Sequence, residues 1–454
     1  MKRSISFLIL LALYIFALSS TAYAESMTKG EDNTSYMDFL IRDAELPQIP
    51  QRPDMNSPSG LNNEILAQYN AYWEAKAEHQ GIAIPDMELL QSFTRESTRK
   101  LIEDRETSNF LYSPVSLWLC LNTLTDLTDG DSRAQILQVI GQQTDEARKK
   151  QVDAVFRSLY WDDDASICIP AMSVWLNEST GISNLLLDHL AAVHAATFQG
   201  NMGEAAYTAA LQAWLNEKTR DLLKDSVSNL SFSPDNGLAV SSTLYLKSGW
   251  LSRFSKDRTS PDVFYSNFGE VMTDFMHDSS MGAVYKGEGF TAVILDFEDG
   301  GGVSFILPDE GRSPEELLRT DDVFHFLFSG REWGDGLYGK INLSVPKMDC
   351  LSEMPLRSSL EQMGITDIFN SEKAQFSAEI LSDSELAMSV LQQYARLIMN
   401  EDGVEAAAIT ISTDGALFRS PEAEIDFTLN RPFVYAVMSE KGIPLFIGTY
   451  REPK

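Results

Sequence analysis

The sequence predicts an α+β fold, with helices concentrated in its N-terminal half and strands in its C-terminal half. Between residues 86 and 225, apolar side chains recur at helical spacing, which indicates amphipathic helices. From about residue 236 onward they alternate or form short runs, which indicates strands. The chain has 454 residues and is 44% hydrophobic, so it can bury a large core, and its length allows two or three domains.

Residues 1–24 have the pattern of a secretory signal peptide. Lys2 and Arg3 precede an apolar run from 7 to 18, and the small residues just before Glu25 favour cleavage there. The apolar run is too short to span a membrane, and no second long apolar run follows it. The sequence therefore predicts an exported, extracellular protein without a membrane span.

Residues 25–85 form an N-terminal extension with two parts. The stretch from 25 to 60 is polar and acidic and contains four prolines, which predicts a mobile tether. Residues 61–80 predict a helix, because apolar side chains repeat at every fourth position: Leu61, Ile65, Tyr69 and Trp73. This apolar stripe either packs on the main domain or binds another molecule.

The elements of the main domain follow in order. A first helix is predicted from 86 to 104, where Asp86 can cap the N-terminus and an apolar face follows. Further helices are predicted at 115–127, 132–140, 145–159, 184–194 and 205–224. Extended segments are predicted at 238–246, 290–297, 303–307, 340–346 and 431–450.

The sequence lacks the residue patterns typical of enzymes. Among its five histidines, His189 and His194 are five positions apart, which misses the four-residue spacing of a zinc-binding helix. There is no Gly-x-Ser-x-Gly turn and no phosphate-binding glycine loop. The run Gly300–Gly302 lies between two predicted strands and indicates a hairpin turn. We therefore predict no catalytic residue, no metal site and no cofactor.

The charge balance limits the partners. The chain carries 66 acidic and 36 basic residues, a net charge of −30. Nucleic acids and anionic membrane surfaces are bound through basic patches, so this balance argues against both kinds of partner. The excess of acidic residues is typical of a soluble protein.

The three cysteines do not form a disulfide framework. Cys120, Cys168 and Cys350 are odd in number and far apart, whereas exported proteins that depend on disulfides usually carry more cysteines in pairs. We interpret them as buried small hydrophobic residues, with one bridge as the alternative.

Residues 401–426 contain a segment that is built like a strand. Gly403 opens it, residues of high strand propensity follow, and no proline interrupts it before Pro421. With a period of two, one face is almost uniformly small or weakly polar: Val404, Ala406, Ala408, Thr410, Ser412, Asp414 and Ala416. Such a face can slide between two existing strands without overpacking what lies beneath. The alternative is an ordinary edge strand followed by a surface loop.

The same segment resembles the reactive loop of the serpins. Residues 401–410 (EDGVEAAAIT) are similar to the hinge of inhibitory serpins, and 427–433 (FTLNRPF) resemble the strand that follows the loop. Further motifs of the family occur in the family's order at 109–116, 213–219, 244–259, 305–308, 345–347 and 445–448. Because the matches run from about residue 86 to 452, the chain is identified as a member of this family, with one large domain at 86–454.

The resemblance implies the serpin fold, in which a helical N-terminal half packs on a large mixed central β-sheet, with further sheets and an exposed reactive loop, here at about 401–426. It also implies a monomer that inhibits a target serine protease by suicide cleavage. The cut loop inserts into the central sheet and the protease is trapped covalently. The hinge residues implied are Glu401, Gly403, Val404, Ala406, Ala407, Ala408 and Thr410.

The reactive bond is implied by counting along the loop. Fourteen residues after Gly403, the bond lies between Leu417 and Phe418. Counting back from the strand after the loop gives a bond one or two residues later, so Arg419–Ser420 is the second candidate. Leucine or phenylalanine favours a chymotrypsin-, elastase- or subtilisin-like target, whereas arginine favours a trypsin-like one.

The region where the sheet would open departs from the family pattern. Inhibitory serpins usually hold it with a polar network that includes an asparagine and a histidine, and the matching positions here are Ser242 and Gln393. Ser113 and Ser116 are retained, and serine and glutamine can still form hydrogen bonds. The departure leaves open whether the network is rewired or the sheet opens more slowly. Trp250, where the loop would first insert, is either a gating residue or an ordinary core residue.

Three other functions compete with inhibition of serine proteases. A non-inhibitory protein of serpin fold could act as a binder or carrier, but the small hinge residues argue against this. The same loop could inhibit cysteine proteases. A secreted hydrolase is disfavoured because the catalytic patterns are missing.

Overall fold

The computed structural model describes residues 35–50, 52–53, 63–103, 108–141, 144–334, 336–381, 386–388, 391–404 and 424–453. Eleven helices lie in this part of the chain: α1 Asn63–Gln80, α2 Met87–Leu101, α3 Pro114–Leu127, α4 Gly130–Ile140, α5 Asp145–Leu159, α6 Asn184–Ala192, α7 Ala205–Lys218, α8 Lys224–Val227, α9 Pro314–Leu318, α10 Asp321–Ser329 and α11 Arg357–Met363.

A central sheet of eight strands divides the molecule. Its strands are β1 Leu40–Arg42, β3 Trp161–Asp162, β4 Ile167–Asn177, β6 Ala195–Gly200, β7 Leu238–Gly249, β13 Met348–Pro355, β15 Gln392–Asn400 and β16 Gly403–Val404. Their order is β1-β6-β4-β7-β16-β15-β13, with β3 paired to β4. The β4–β6 pair is parallel, whereas β7 and β15 are each antiparallel to β16.

A second sheet of nine strands packs beside the first. Its strands are β2 Phe110–Tyr112, β8 Thr259–Ser266, β9 Gly269–Gly287, β10 Phe290–Asp296, β11 Gly302–Pro308, β12 Gly336–Pro346, β17 Glu424–Thr428, β18 Phe433–Met438 and β19 Pro444–Tyr450. The order is β17-β12-β9-β10-β11-β18-β19-β2, and β8 pairs with β9. Two short strands, β5 Gly181–Ile182 and β14 Ile380–Leu381, form a separate pair.

Helices cover both faces of the central sheet. On the inner face, α3 is buried along its whole length and contacts β7 and β19. Ser113 caps α3 through its side chain, and Pro114 occupies the first helical position, where a missing N–H costs nothing. On the outer face, α7 buries Trp214 and Tyr207 against Trp175 of β4, so the sheet has a core on each side.

The α+β prediction is confirmed, with differences in detail. The helices expected between 86 and 194 are present, but α7 ends at Lys218 because residues 219–223 form turns. The hairpin expected at Gly300–Gly302 joins β10 to β11, with left-handed backbone at Gly300 and Gly301. Several strands were not predicted, among them β4 and β6 in the helical half, the 19-residue β9, and β8, β13 and β15.

Two expectations for the extension were wrong. Residues 35–50, expected to be part of a mobile tether, contain a 3-10 turn at Tyr36–Phe39 and strand β1, which pairs with β6 at the sheet edge. Helix α1 is present and packs on the domain, one of the two alternatives, but the predicted stripe is wrong at its C-terminal end: Ile65 and Tyr69 are half-buried, and Tyr72 is buried in place of Trp73. Tyr72 is 2% exposed and donates a hydrogen bond to Asp163, whereas Trp73 is 43% exposed. At this end of α1, the docked face is therefore shifted by one residue from the predicted stripe, from Trp73 to Tyr72.

None of the three cysteines forms a disulfide bond. Cys120 lies within α3, where burial raises the pKa of its thiol to about 12. Cys350 is buried in β13 and Cys168 is half-buried in β4. The alternative of a bridge is therefore wrong.

Candidate site for loop insertion

The first two residues of the predicted reactive loop already lie in the central sheet. As strand β16, Gly403 pairs with Gly249 of β7 and Asn400 of β15, and Val404 pairs with Ser248 and Met399. The Val404 side chain is 1% exposed and belongs to the main core. Within the described residues, β7 and β15 are joined in the sheet only through β16. We call the place between β7 and β15 the slot: β16 fills one end of it, and beyond β16 the two strands approach each other directly.

Glycine is required at position 403. Its backbone has φ of 149°, in the region that side chains rarely adopt, and a Cβ atom there would lie 2.2 Å from the Ser248 carbonyl oxygen. Any larger residue would push β16 away from β7. The loop can therefore begin its strand at this point only because Gly403 has no side chain.

Trp250 fixes the turn that precedes β16. Its Nε1 donates to the Asn400 carbonyl at 2.8 Å, and its backbone N donates to the Asp402 carbonyl at 3.1 Å. The ring, 1% exposed, stacks on Phe297 with centroids 5.3 Å apart. Trp250 is thus a core residue that also orients the hinge, so the two alternatives for its role are compatible.

Glu401 holds the start of the hinge against the neighbouring strands. Its carboxylate accepts a hydrogen bond from Thr259 Oγ1 at 2.8 Å and forms an ion pair with Lys347 at 3.2 Å. Burial by itself would raise the pKa of Glu401. Its own backbone amide, Thr259 and Lys347 outweigh burial, so the pKa lies below its usual value. These contacts stabilise the charged form.

Replacing Glu401 by glutamine is expected to lower the free energy of unfolding by about 1–2 kcal/mol at pH 7, because a charge-assisted contact is lost. A lowered carboxyl pKa stabilises the fold above about pH 4.3, and this contribution disappears as the pH falls through the folded pKa. The difference between Glu401→Gln and the unchanged protein should therefore be present at pH 7 and shrink as the pH falls below about 4.3. Urea unfolding measures it, with the exposed Glu353→Gln as control. A difference that does not depend on pH would contradict this.

Below the filled end of the slot, a polar network links α3 to both strands. Gln393 of β15 accepts from the Ser113 amide at 2.8 Å and donates to the Ser113 carbonyl at 3.0 Å. Ser242 of β7 donates to the Ser116 carbonyl at 3.0 Å, and the two hydroxyls are hydrogen-bonded to each other. The structure thus brings all four residues together, and glutamine and serine form the connections.

A small cavity marks the unfilled part of the slot on the outer face. Its volume is about 30 Å³ and it lies between β7 and β15, beneath α7. Ser241 and Tyr394 line it from the two strands, and Leu211 and Leu215 line it from α7. The packing between β7 and β15 therefore leaves a small gap beside the polar network.

The other predicted loop residues lie outside the described part of the chain. These are Ala406, Ala407, Ala408, Thr410, Leu417, Phe418, Arg419 and Ser420. Three partners of the hinge were not predicted from the sequence, namely Thr259, Lys347 and Lys256. Of these, Lys256 pairs with Asp402 at 2.9 Å. The one sequence signal for these partners was Lys347, a lone cation directly after the predicted strand at 340–346.

The described residues contain neither a cluster of metal ligands nor a membrane-spanning helix. No group of three or more His, Cys, Asp or Glu side chains in them could hold a metal ion. None of the helices in the same residues is long and apolar enough to cross a membrane.

Comparison with known proteins identifies the family. The profile described as "Serpin (serine protease inhibitor)" matches residues 88–453, most of the chain. The chain belongs to the serpin family. This serpin is 27% identical over 372 residues to an uncharacterized serpin-like protein of Methanosarcina acetivorans, covering 77% of this chain and 82% of the relative. It is 24% identical over 380 residues to the alpha-1-antiproteinase of Rattus norvegicus, covering 80% of this chain and 88% of the relative.

Solved structures give the same fold for this serpin. The native state of the thermophilic serpin tengpin superposes with a TM-score of 0.72 at 22% identity, covering 81% of this chain and 95% of that one. The serpin fold predicted from the sequence motifs is therefore confirmed. The family consists in general of protease inhibitors, which is the level of function that the match supports.

Proposed function

We propose that this serpin is a secreted inhibitor of serine proteases that acts by suicide cleavage and loop insertion. The observation that carries the proposal is the position of β16, whose two residues pair with both neighbouring strands at the end of a slot. A loop that has already begun an antiparallel strand needs only to be cut to continue it. Export through the signal peptide at 1–24 would bring the protein to extracellular proteases.

The register of β16 supports further insertion. If the pairing of Val404 continues, Thr410 would lie opposite both Ser242 and Gln393, the two strand residues of the polar network. A hydroxyl there could replace the hydrogen bonds that separation of the strands would break. The small side chains at alternate positions before Thr410 would fit against the apolar inner core.

Extended, residues 404–417 would span about 46 Å at ~3.3 Å per residue. A protease still esterified to Leu417 would be carried about that distance, and its active site would be distorted before the ester is hydrolysed. Leu417–Phe418 is the proposed reactive bond, and Arg419–Ser420 is the alternative. An apolar residue before the cut suits chymotrypsin-, elastase- or subtilisin-like targets.

The test is a mixture of the mature protein with chymotrypsin, elastase, subtilisin and trypsin, followed by denaturing electrophoresis. A complex that survives denaturant, with a new N-terminus at Phe418, is the expected result. Papain in the same series tests inhibition of cysteine proteases. A clipped chain without a complex in every case would contradict inhibition and indicate a non-inhibitory binder. Trapping by trypsin alone would place the bond at Arg419.

Insertion also has a thermal consequence that does not require a trapped protease. Once cut, the loop can complete the central sheet, which adds backbone hydrogen bonds and buried area. The cleaved protein should therefore unfold at a markedly higher temperature than the intact protein. Calorimetry of both forms measures the shift, and an unchanged midpoint would contradict insertion.

A further inference from the structure

The N-terminal extension outside the family match is docked on the serpin domain. Its first part, residues 35–50, is called the strap, and α1 is its second part. In the strap, β1 pairs with the edge strand β6, and the Glu45 amide donates to the Ala191 carbonyl at 3.0 Å. The rings of Phe39 and Tyr207 lie 4.9 Å apart, so the strap also contacts α7.

One histidine lies on the docked face of α1. The His79 ring packs on Trp161 of β3, with centroids 4.9 Å apart, and lies beside Ser158 at the end of α5. Burial, reinforced by Lys441, Lys76 and Arg157, lowers the pKa of His79 to about 4. In the docked extension this ring is neutral at pH 7.

A second histidine lies on the domain directly beneath the strap. His194 is 5% exposed, hydrogen-bonds the Glu45 carbonyl through Nδ1, and stacks on Phe156 with centroids 3.9 Å apart. Burial lowers the pKa of His194, although Glu45 and Asp153, whose carboxylate lies 3.4 Å from Nε2, act in the opposite direction. The strap and α1 therefore each cover one neutral imidazole.

The charges around the two rings come from every element packed there. Beside His79 are three cations and three acids, Lys76, Arg157, Lys441, Glu78, Asp299 and Glu440. Beside His194 are Glu45, Asp153 and Arg157, and Asp43 and Lys218 line a second pocket that His194 also lines. The neighbouring charges with the largest effect on the pKa of His79 are all cationic, so the acids do not offset them.

We propose that mild acid releases the strap and α1 from the serpin domain, with His79 and His194 as the groups that take up the protons. For each ring, at least one of these contacts crosses the docked interface: His79 of α1 packs on Trp161 of the domain, and Nδ1 of His194 is hydrogen-bonded to the Glu45 carbonyl of the strap. When the extension leaves, both rings become accessible to water and can accept a proton at little cost. The docked and released states therefore differ in proton affinity at the interface itself.

The sign of the effect follows from linkage. A histidine that is harder to protonate when docked favours the released state as the pH falls below its ordinary pKa of about 6.5. Down to about pH 4, each pH unit shifts the equilibrium toward release by up to roughly tenfold for His79. His194 adds to this in the same direction. Docking should thus be strongest near neutral pH and weaken between about pH 6.5 and 4.

The test places a fluorophore on α1 of the full mature chain. Glu74 is exposed and lies on the opposite side of α1 from Tyr72 and His79, so Glu74→Cys leaves the docked face intact. Fluorescence anisotropy from pH 7.5 to 4.5 should be high at neutral pH and fall in acid as α1 becomes free. A label at Glu353→Cys on β13 reports the domain and should show no fall. If both labels fall together, acid unfolds the whole protein and the proposal is overturned.

Substitutions identify the proton acceptors. His79→Phe combined with His194→Phe keeps the aromatic contacts without a titrating ring, and the α1 label should then keep its high anisotropy down to pH 4.5. His277→Gln, a histidine held by two serines on the second sheet, is the matched control and should behave as the unchanged protein. If the double variant does not dock at neutral pH, single His→Gln variants replace it, each shifting the midpoint downward. An acid transition that is absent in the unchanged protein, or identical in the variants, overturns the proposal.

Discussion

Replacing Val404 by arginine is expected to abolish covalent trapping of the protease while the loop is still cut. Val404 is buried between β7 and β15 opposite Ser248 and Met399, neither of which can neutralise a cation, and the nearby Asp299 carboxylate is already hydrogen-bonded to Ser248 at 2.6 Å. An unpaired charge there costs about 3 kcal/mol or more, so the arginine should leave the slot in the intact protein, and burying it again on insertion should slow insertion roughly a hundredfold. Hydrolysis of the ester then precedes insertion, and the protein becomes a substrate. Counting the moles of inhibitor consumed per mole of enzyme measures the change.

Two control variants define what the Val404 experiment tests. Val404→Thr keeps the branched shape and adds only a hydroxyl, so trapping should persist with a small loss. Glu405→Arg introduces the same cation one position later, where the period of two turns the side chain to the other face of the sheet. Trapping should survive this change. If Val404→Arg still forms the stable complex, insertion does not proceed through the slot beside β16.

The beginning of this slot could be predicted from the sequence because its signal is local. Gly403 and Val404 follow one another, and their roles depend on a missing side chain and on a small apolar one. The contacts that hold the hinge could not be predicted in the same way. Lys347 lies 54 residues from Glu401 and Thr259 lies 142 residues away, so only the folded sheets bring them together.

The missed elements have physical explanations. Strand β4 is buried on both faces, so it lacks the alternation that marks a half-exposed strand, and it contains Pro170.

The position of the strap depends on a space on the domain that accepts the Phe39 ring. A Cβ at Gly200 would lie 2.8 Å from the Phe39 ring, so the ring fits only because that residue is glycine. Neither segment carries this information in its own sequence.

Removing the Arg148 side chain is expected to cost about 3–5 kcal/mol of stability, because it leaves a buried charge without a partner. Arg148, on α5, is 0% exposed, forms an ion pair with Asp126 of α3, and donates to the Asn122 carbonyl at 3.1 Å. It therefore ties α5 to the helix whose N-terminal serines hold the slot. Urea unfolding of Arg148→Met, followed by circular dichroism, measures the loss.

A double variant separates the buried charge from the packing. Arg148→Met with Asp126→Leu removes both charges and fills the space with apolar groups, so most of the lost stability should return. Arg157→Met, on the same helix but half-exposed and paired with Asp153 at 3.7 Å, is the matched control and should change stability by less than about 1 kcal/mol. If the double variant is as unstable as Arg148→Met alone, the helix contact depends on the shape of arginine and not on the uncompensated charge.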